Sequence, residues 1–260
     1  MTQCQDWLLR SPEAMEYLTK ERLLTMDTIS SSKIGFFPAR ANYIFQNDNP
    51  KELEKLRGRI VVPIFSEFSQ IVGFAGRIPD PSVKGWWNTK FIKSSHLYGF
   101  NEARQSIYTK NKGYLFEGYF DKIALKQAGL TNSVAAMGTN LGIRRIGLLA
   151  RYCDRMCVCF DTDQNDAGLL GLFRTLADMY SVGIGMQPTT WELTTIQLPV
   201  KVDPDEYVAK YGLDAFLSLE RPIGEELLEK AEQAYTQLKW RIKDRQAREM
   251  AQDLKKNKRK

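Results

Sequence analysis

Two short apolar runs about forty residues apart each end in a cluster of carboxylates, and this pairing narrows the possible folds more than any other feature of the chain. Tyr114, Leu115 and Phe116 lead into Glu117-Gly118-Tyr119-Phe120-Asp121, and Met156, Cys157, Val158, Cys159 and Phe160 lead into Asp161-Thr162-Asp163. Short continuous apolar runs of this kind read as buried parallel strands. In an open α/β sheet the ligand site lies at the carboxyl ends of the strands, so both acidic clusters are delivered to one sheet edge. Carboxylates converging there without histidine or thiolate make a hard-oxygen site, suited to Mg²⁺ or Mn²⁺ and to the phosphates those ions bridge.

The surrounding pattern divides the chain into three parts, at residues 1–110, 111–215 and 216–260. In the first, Ser11 reads as an N-cap with Pro12 at the first helical position, and Ala14–Thr19 and Thr25–Ser30 as two short helices before the break at Gly35 and Pro38. Residues 59–65 and 70–76 are β-rich and separated by Ser66-Glu67-Phe68-Ser69, the pattern of a hairpin. From residue 113 onward, strands are expected at 113–117, 133–137, 156–161 and 191–198, with helices at 121–128, 143–152 and 167–180. This alternation predicts an α/β domain, a mainly parallel sheet with helices on both faces, preceded by a mixed α+β segment. Beyond Ile223 one or two helices end in a basic tail.

Charge follows the same division. Residues 33–110 carry 12 Lys or Arg against 6 Asp or Glu, whereas residues 111–238 carry 12 against 17. The last 22 residues have 10 basic and 3 acidic side chains. A basic segment beside an acidic one matches a nucleic-acid track next to a metal site, and charge alone fits two solvated surfaces equally well.

Other classes are narrowed by what the sequence contains. His96 is the one histidine, which excludes a histidine-rich metal centre and leaves little room for a Ser-His-Asp triad. Cys153, Cys157 and Cys159 cluster around the strand before Asp161, where the odd-numbered pair faces one side, and read as core residues. No run of eighteen apolar residues occurs and the N-terminus lacks a secretion-signal pattern, so a cytoplasmic protein with no membrane partner is expected.

The ordered blocks EGYFD, AAMGTNLG, CVCFDTDQNDAG and LPVKVDPDEYVAKYG resemble the TOPRIM catalytic domain of bacterial DnaG-type DNA primases. Upstream, RGRIVVPIFSEFSQIVGFAGRI and KFIKSSHLYGFNEAR resemble the basic subdomain that precedes TOPRIM in that family, and AMEYLTKERLLTMDTISSSKIGFFP resembles its opening helices. Together the blocks cover roughly residues 14 to 215. The resemblance implies template-directed synthesis of short RNA primers on single-stranded DNA from nucleoside triphosphates. It assigns Glu117, Asp161 and Asp163 to catalysis, and Glu117, Asp121, Asp161, Asp163, Asp203 and Asp205 to a site for two Mg²⁺ or Mn²⁺ ions. Glu117 either holds metal or acts as a general acid or base. Arg57, Arg59, Arg77, Lys90 and Lys93 are the expected contacts to template or nucleotide phosphate, with Trp86 and Trp87 divided between core packing and base stacking.

The chain departs from the family pattern in places. Thr162 stands where glycine usually separates the two aspartates, the 91–97 loop is shorter, and the 183–195 stretch is longer. The zinc-binding module of full-length family members has no counterpart in these residues, which together with those changes implies a divergent or mobile-element form that either lacks the template-selecting module or receives its function from another polypeptide, such as a separate zinc-binding subunit. The apolar spacing of Leu227, Leu228, Ala231, Tyr235, Leu238 and Ile242 suits either docking to a replicative helicase or closure of the protein's own core. A TOPRIM nuclease and a non-catalytic replisome adaptor are the competing readings. Six retained carboxylates argue against the adaptor, because unused buried acids destabilise a fold.

Overall fold

The computed structural model of the chain describes residues 1–40, 50–83, 85–138, 142–159, 192–199, 202–223 and 229. The expected helix at 167–180, the C-terminal helices and the carboxylates Asp161 and Asp163 lie outside the described residues. Helices α1 (Thr2–Leu9), α2 (Pro12–Glu16) and α3 (Met26–Ser31) open the chain. Ser11 has the extended backbone of an N-cap and Pro12 takes the first turn, although the serine hydroxyl makes no capping bond; at α3 the Thr25 side chain does accept from the Thr28 amide. Between α2 and α3 the helix widens into a π-turn, Tyr17–Glu21.

Strands β1 (Gly35–Phe37), β2 (Arg59–Phe65), β3 (Ile71–Arg77) and β4 (Trp87–Asn88) form an antiparallel sheet in sequential order. Helix α4 (Pro50–Leu53) and a 3₁₀ turn at Glu54–Leu56 precede β2. The hairpin expected at residues 66–69 joins β2 to β3, with the Ser66 amide donating to the Gln70 carbonyl. Trp86 packs against Tyr119 and Phe120, with ring centroids 4.6 and 5.1 Å away, and the Lys55 ammonium lies over Trp87. Both indoles therefore contribute to packing.

The second sheet runs β6-β5-β7-β8-β9 among the described residues. Its strands are β5 (Lys112–Phe116), β6 (Ser133–Ala135), β7 (Arg155–Cys159), β8 (Glu192–Ile196) and β9 (Glu220–Pro222). The first four run parallel and β9 closes the far edge antiparallel, with Pro222 in the outer strand where a missing amide costs no ladder bond. Helices α5 (Phe100–Lys110), α6 (Tyr119–Gln127) and α7 (Ile143–Ala150) accompany the parallel strands, followed by α8 (Pro204–Tyr211) and α9 (Leu213–Leu217).

Alternation across the sheet creates two apolar layers. Phe116, Cys157 and Cys159 pack in one with Tyr119, Ile123, Val208 and Phe216. Leu115, Met156 and Val158 pack in the other with Phe100, Ile107, Ile146 and Leu149. Cys157 and Cys159 share a layer, as a period of two requires, and burial pushes the Cys157 thiol up to about 12. An antiparallel bridge between Tyr98 and Ala135, with amide-to-carbonyl distances of 2.9 and 3.0 Å, ties the segment before α5 to the edge strand β6.

Lys122 sits almost fully buried, 2% exposed, in ion contact with Glu102, which also pairs with Lys126 at 2.5 Å. Burial and the Lys126 charge pull the Lys122 ammonium well below the usual lysine range. Lys122→Met is expected to change stability by less than about 1 kcal/mol, whereas Glu102→Ala, which strands the buried ammonium, costs about 2 kcal/mol. The unfolded chain binds the Lys122 proton more tightly than the folded chain, so stability rises with pH until the unfolded lysine itself titrates. Urea unfolding from neutral pH to about pH 9, a range in which ordinary tyrosines stay mostly protonated, measures that slope as the difference between wild type and Lys122→Met. A slope that Lys122→Met leaves unaltered excludes this origin.

Candidate active site

The strand register aligns the ends of the two apolar runs that precede the acidic segments. Phe116, the last residue of β5, is paired with Cys159, the last of β7, so the chain leaves the sheet at Glu117 beside the point from which the 161–163 segment continues. The turn after Glu117 is held by its carbonyl, which accepts the Gly138 amide at 3.1 Å. Gly138 has φ +141°, so the loop after β6 passes Glu117 in a conformation that glycine adopts without a Cβ penalty, whereas Met137 before it holds φ +61° despite its side chain.

Asp121 lies in the first turn of α6, 8% exposed, and its Oδ2 accepts the Gly118 amide at 3.0 Å. Carboxylates at this position satisfy an otherwise orphaned amide and favour the positive end of the helix. A Cβ on Gly118 would meet that same Oδ2 at 2.4 Å. Glycine here thus keeps a side chain away from Asp121.

Asp203 is the N-cap residue of α8, and Asp205 lies within its first turn. Helix α8 packs against α6, which brings the acidic starts of two helices into one layer. Asp205 is 6% exposed, and its Oδ2 accepts from Arg22 Nη1 at 2.9 Å. Nearby Glu206 is pushed upward by burial and by the charges of Asp203 and Asp205. Among the described residues no three Asp, Glu, His or Cys side chains gather closely enough to hold a metal ion. The carboxylates are nonetheless the donor type a hard divalent cation takes, with Asp121 and Asp205 already sharing their charge with a helix amide and an arginine.

The basic residues distribute unevenly. Arg77 is 8% exposed, and its Nε donates to the Tyr17 hydroxyl at 2.6 Å. The same hydroxyl accepts from Arg22 Nε at 3.1 Å, so Tyr17 connects Arg77 to the Arg22–Asp205 pair. The Lys90 side chain is exposed, and its backbone amide donates to Glu52. Lys93 occupies a 3₁₀ turn, Lys93–Ser95, with Nζ 3.7 Å from where a Cβ on Gly138 would stand. Burial, reinforced by the Arg145 charge, moves its ammonium below the usual lysine range. Arg57 is paired with Glu54 in the 3₁₀ turn before β2 and also stacks over Phe37, while Arg59 donates to the Lys55 carbonyl at 3.0 Å. Arg57 and Arg59 thus make local contacts, Arg77 is joined to the Arg22–Asp205 pair through Tyr17, and Lys93 lies beside Gly138. His96 is shifted downward by burial and by Arg145, with Glu67 opposing.

Two residues outside the sequence-based set are built into the site. Arg22 reaches Asp205 across 183 positions of sequence, which no local pattern reveals. Arg145 is 3% exposed on α7 although it lies four residues before the buried Leu149, so a charge on the apolar stripe of a helix was the available signal.

Carboxylates at the carboxyl edge of a helix-covered parallel sheet, with a basic antiparallel sheet before them, define a Toprim-type catalytic core as the class of protein. Comparisons with known proteins agree: residues 114–208 match a Toprim-like domain and residues 39–104 the N-terminal domain of the DNA primase catalytic core. The chain is 33% identical over 232 residues to a DNA primase of Rickettsia conorii, covering 80% of this chain and 38% of that protein. It is 31% identical over 236 residues to a DNA primase of Enterococcus faecalis, covering 79% of this chain and 36% of that one. The chain thus spans little more than a third of the length of these relatives. Among solved structures, the E. coli primase catalytic core superposes with a TM-score of 0.70 at 27% identity, over 84% of this chain and 77% of that one. A DnaG primase catalytic domain bound to single-stranded DNA gives the same TM-score at 26% identity, over 84% of this chain and 78% of that one. The chain belongs to the family of DnaG-type primase catalytic cores.

Proposed function

We propose that this chain is a template-directed nucleotidyltransferase that makes short RNA primers on single-stranded DNA. The observation that supports the reading is the parallel register of β5 with β7, which pairs Phe116 with Cys159, so that Glu117 follows the end of one strand and Asp161 lies two residues beyond the paired cysteine in sequence. Lys93 stands above that edge and, among the described residues, makes no ion pair. A half-buried ammonium without a carboxylate partner beside an acidic edge suits a ligand that is itself anionic at one end and cation-bridged at the other. A nucleoside triphosphate has that character.

Glu117, Asp161 and Asp163 would hold Mg²⁺ or Mn²⁺, with Asp121, Asp203 and Asp205 adding negative charge around them. Bound there, two such ions would supply Lewis-acid stabilisation of the transferring phosphoryl group and a lowered pKa for the attacking 3′-hydroxyl. The protein's own part is positional. Lys93 and Lys90 bind phosphate oxygens, Arg77 offers its planar fork to the backbone of template or nucleotide, and Glu117 alternatively takes the hydroxyl proton. Single-stranded DNA lies along the basic sheet, with a zinc-binding subunit and a replicative helicase as candidate partners.

The test is synthesis on single-stranded DNA with labelled ribonucleotides and Mg²⁺ or Mn²⁺. Short products that require template and all four nucleotides support the reading. Metal-dependent loss of the template without product identifies a nuclease, and binding without either reaction identifies an adaptor.

A further inference from the structure

The buried guanidinium of Arg145 makes an arrangement that the sheet and its carboxylates do not account for. Its Nε donates to the His96 carbonyl at 2.8 Å and to the Lys93 carbonyl at 3.0 Å, and Nη2 also bonds the Lys93 carbonyl. The His96 amide closes the same turn by donating to Lys93 O at 3.2 Å. Next along α7, Arg144 Nη1 reaches Ser95 Oγ at 3.4 Å. A three-residue 3₁₀ turn is thus fastened to α7 at Lys93, Ser95 and His96, with Arg145 holding its two ends.

Burial of this guanidinium is costly, and lowers it to about 10. It also places a second positive charge close to Lys93. Neither effect helps the fold by itself. Both make sense if the turn must present Lys93 in one orientation to an anion whose binding relieves the repulsion. Lysine is a flexible point charge with high rotamer entropy, so fixing its backbone reduces what binding must order.

We propose that Arg145 is a positioning residue for the nucleotide triphosphate: by clamping the carbonyls of Lys93 and His96 it holds the Lys93 ammonium over the Glu117–Gly138 turn, where it meets the phosphates. This deepens the primase reading above and rests on it. The geometry is specific to a fork. Two carbonyls of one turn are reached by one planar guanidinium, which a lysine's single ammonium does not reproduce.

The experiment measures triphosphate KM and kcat in primer synthesis by the full chain, together with binding of fluorescently labelled ATP by anisotropy. Arg145→Met is expected to raise KM and weaken ATP binding about tenfold while leaving kcat within about twofold. Lys93→Met alone gives a similar loss, and the double variant is no worse than Lys93→Met, because Arg145 acts only through that ammonium. Arg145→Lys, which keeps the charge without the fork, recovers part of the binding; if Arg145→Met does not fold, Arg145→Lys takes its place in the cycle.

A double variant whose losses multiply, or a fall in kcat with KM unmoved, overturns the proposal and assigns Arg145 a structural role. The two hypotheses fail separately. Primer synthesis that proceeds with KM unchanged in Arg145→Met removes only the positioning role. Lys93-dependent ATP binding that Arg145→Met weakens, in a chain that makes no primer on any template, removes the primase function and leaves the clamp.

Discussion

Glu117→Gln is expected to lower primer synthesis by at least about a thousandfold while leaving the unfolding temperature unchanged, the loss typical when a group that stabilises transition-state charge is removed. The substitution keeps shape and hydrogen-bonding capacity and removes only the negative charge. Glu117 follows the last residue of β5, its carbonyl is fixed by the Gly138 amide, and those backbone contacts do not depend on the side-chain charge. Whether Glu117 holds a cation or accepts the proton of the attacking hydroxyl, the neutral amide does neither. Asp161→Ala is expected to match it. Retention of more than about a tenth of wild-type activity in Glu117→Gln would place the chemistry elsewhere, since even modest general-base contributions exceed that factor.

The second large effect is on stability. Arg22→Met is expected to destabilise the protein by about 3 kcal/mol, because it leaves Asp205 buried without its guanidinium. The side chains of Arg22 and Asp205 are 18% and 6% exposed, and the guanidinium stacks 4.9 Å from the Phe120 ring centroid. Methionine preserves the packing against Phe120, so the loss reports the stranded charge. Asp203 and Glu206 stand in the same helix turn and aggravate it, as the upward shift of Glu206 indicates. For a chain of this size the change corresponds to a melting point lower by about 8 °C, readable by calorimetry or circular dichroism. Arg22→Met combined with Asp205→Leu is expected to recover most of it, because removing both partners of a buried pair is far cheaper than removing one. An unaltered melting point in the single variant would show that Asp205 is neutralised by another group.

The parallel sheet was legible in the sequence because buried strands are short apolar runs, and the place of Glu117 because its run stops at that carboxylate. Strand ends differ by one or two residues from the sequence expectation: the 133–137 run becomes β6 at Ser133–Ala135. Helix α5 escaped that reading. Its buried residues Phe100, Ala103 and Ile107 cover a narrow stripe on an otherwise polar segment, so the apolar period is weak. The antiparallel strand Glu220–Pro222 was equally hidden, since three residues with two charges and a proline carry no strand signature. At the site the carboxylates were legible by type and position. Their partners were not, because Arg22 with Asp205 and Arg145 with the Lys93 turn are contacts between segments distant in sequence. The expected phosphate contacts came from charge and from the family resemblance, and neither separates Arg57, held by Glu54, from Lys93, which makes no ion pair among the described residues.

The bridge between Tyr98 and Ala135 has a bearing on solubility as well as on architecture. Among the described residues β6 is the outermost strand of its sheet on that side, and an uncovered ladder there would be a template for pairing with a neighbouring molecule. Tyr98 occupies the Ala135 amide and carbonyl with its own backbone. The segment that carries Lys90 and Lys93 therefore also covers a sticky edge at this point. A change in its length would disturb that cover as well as the position of the Lys93 turn against α7.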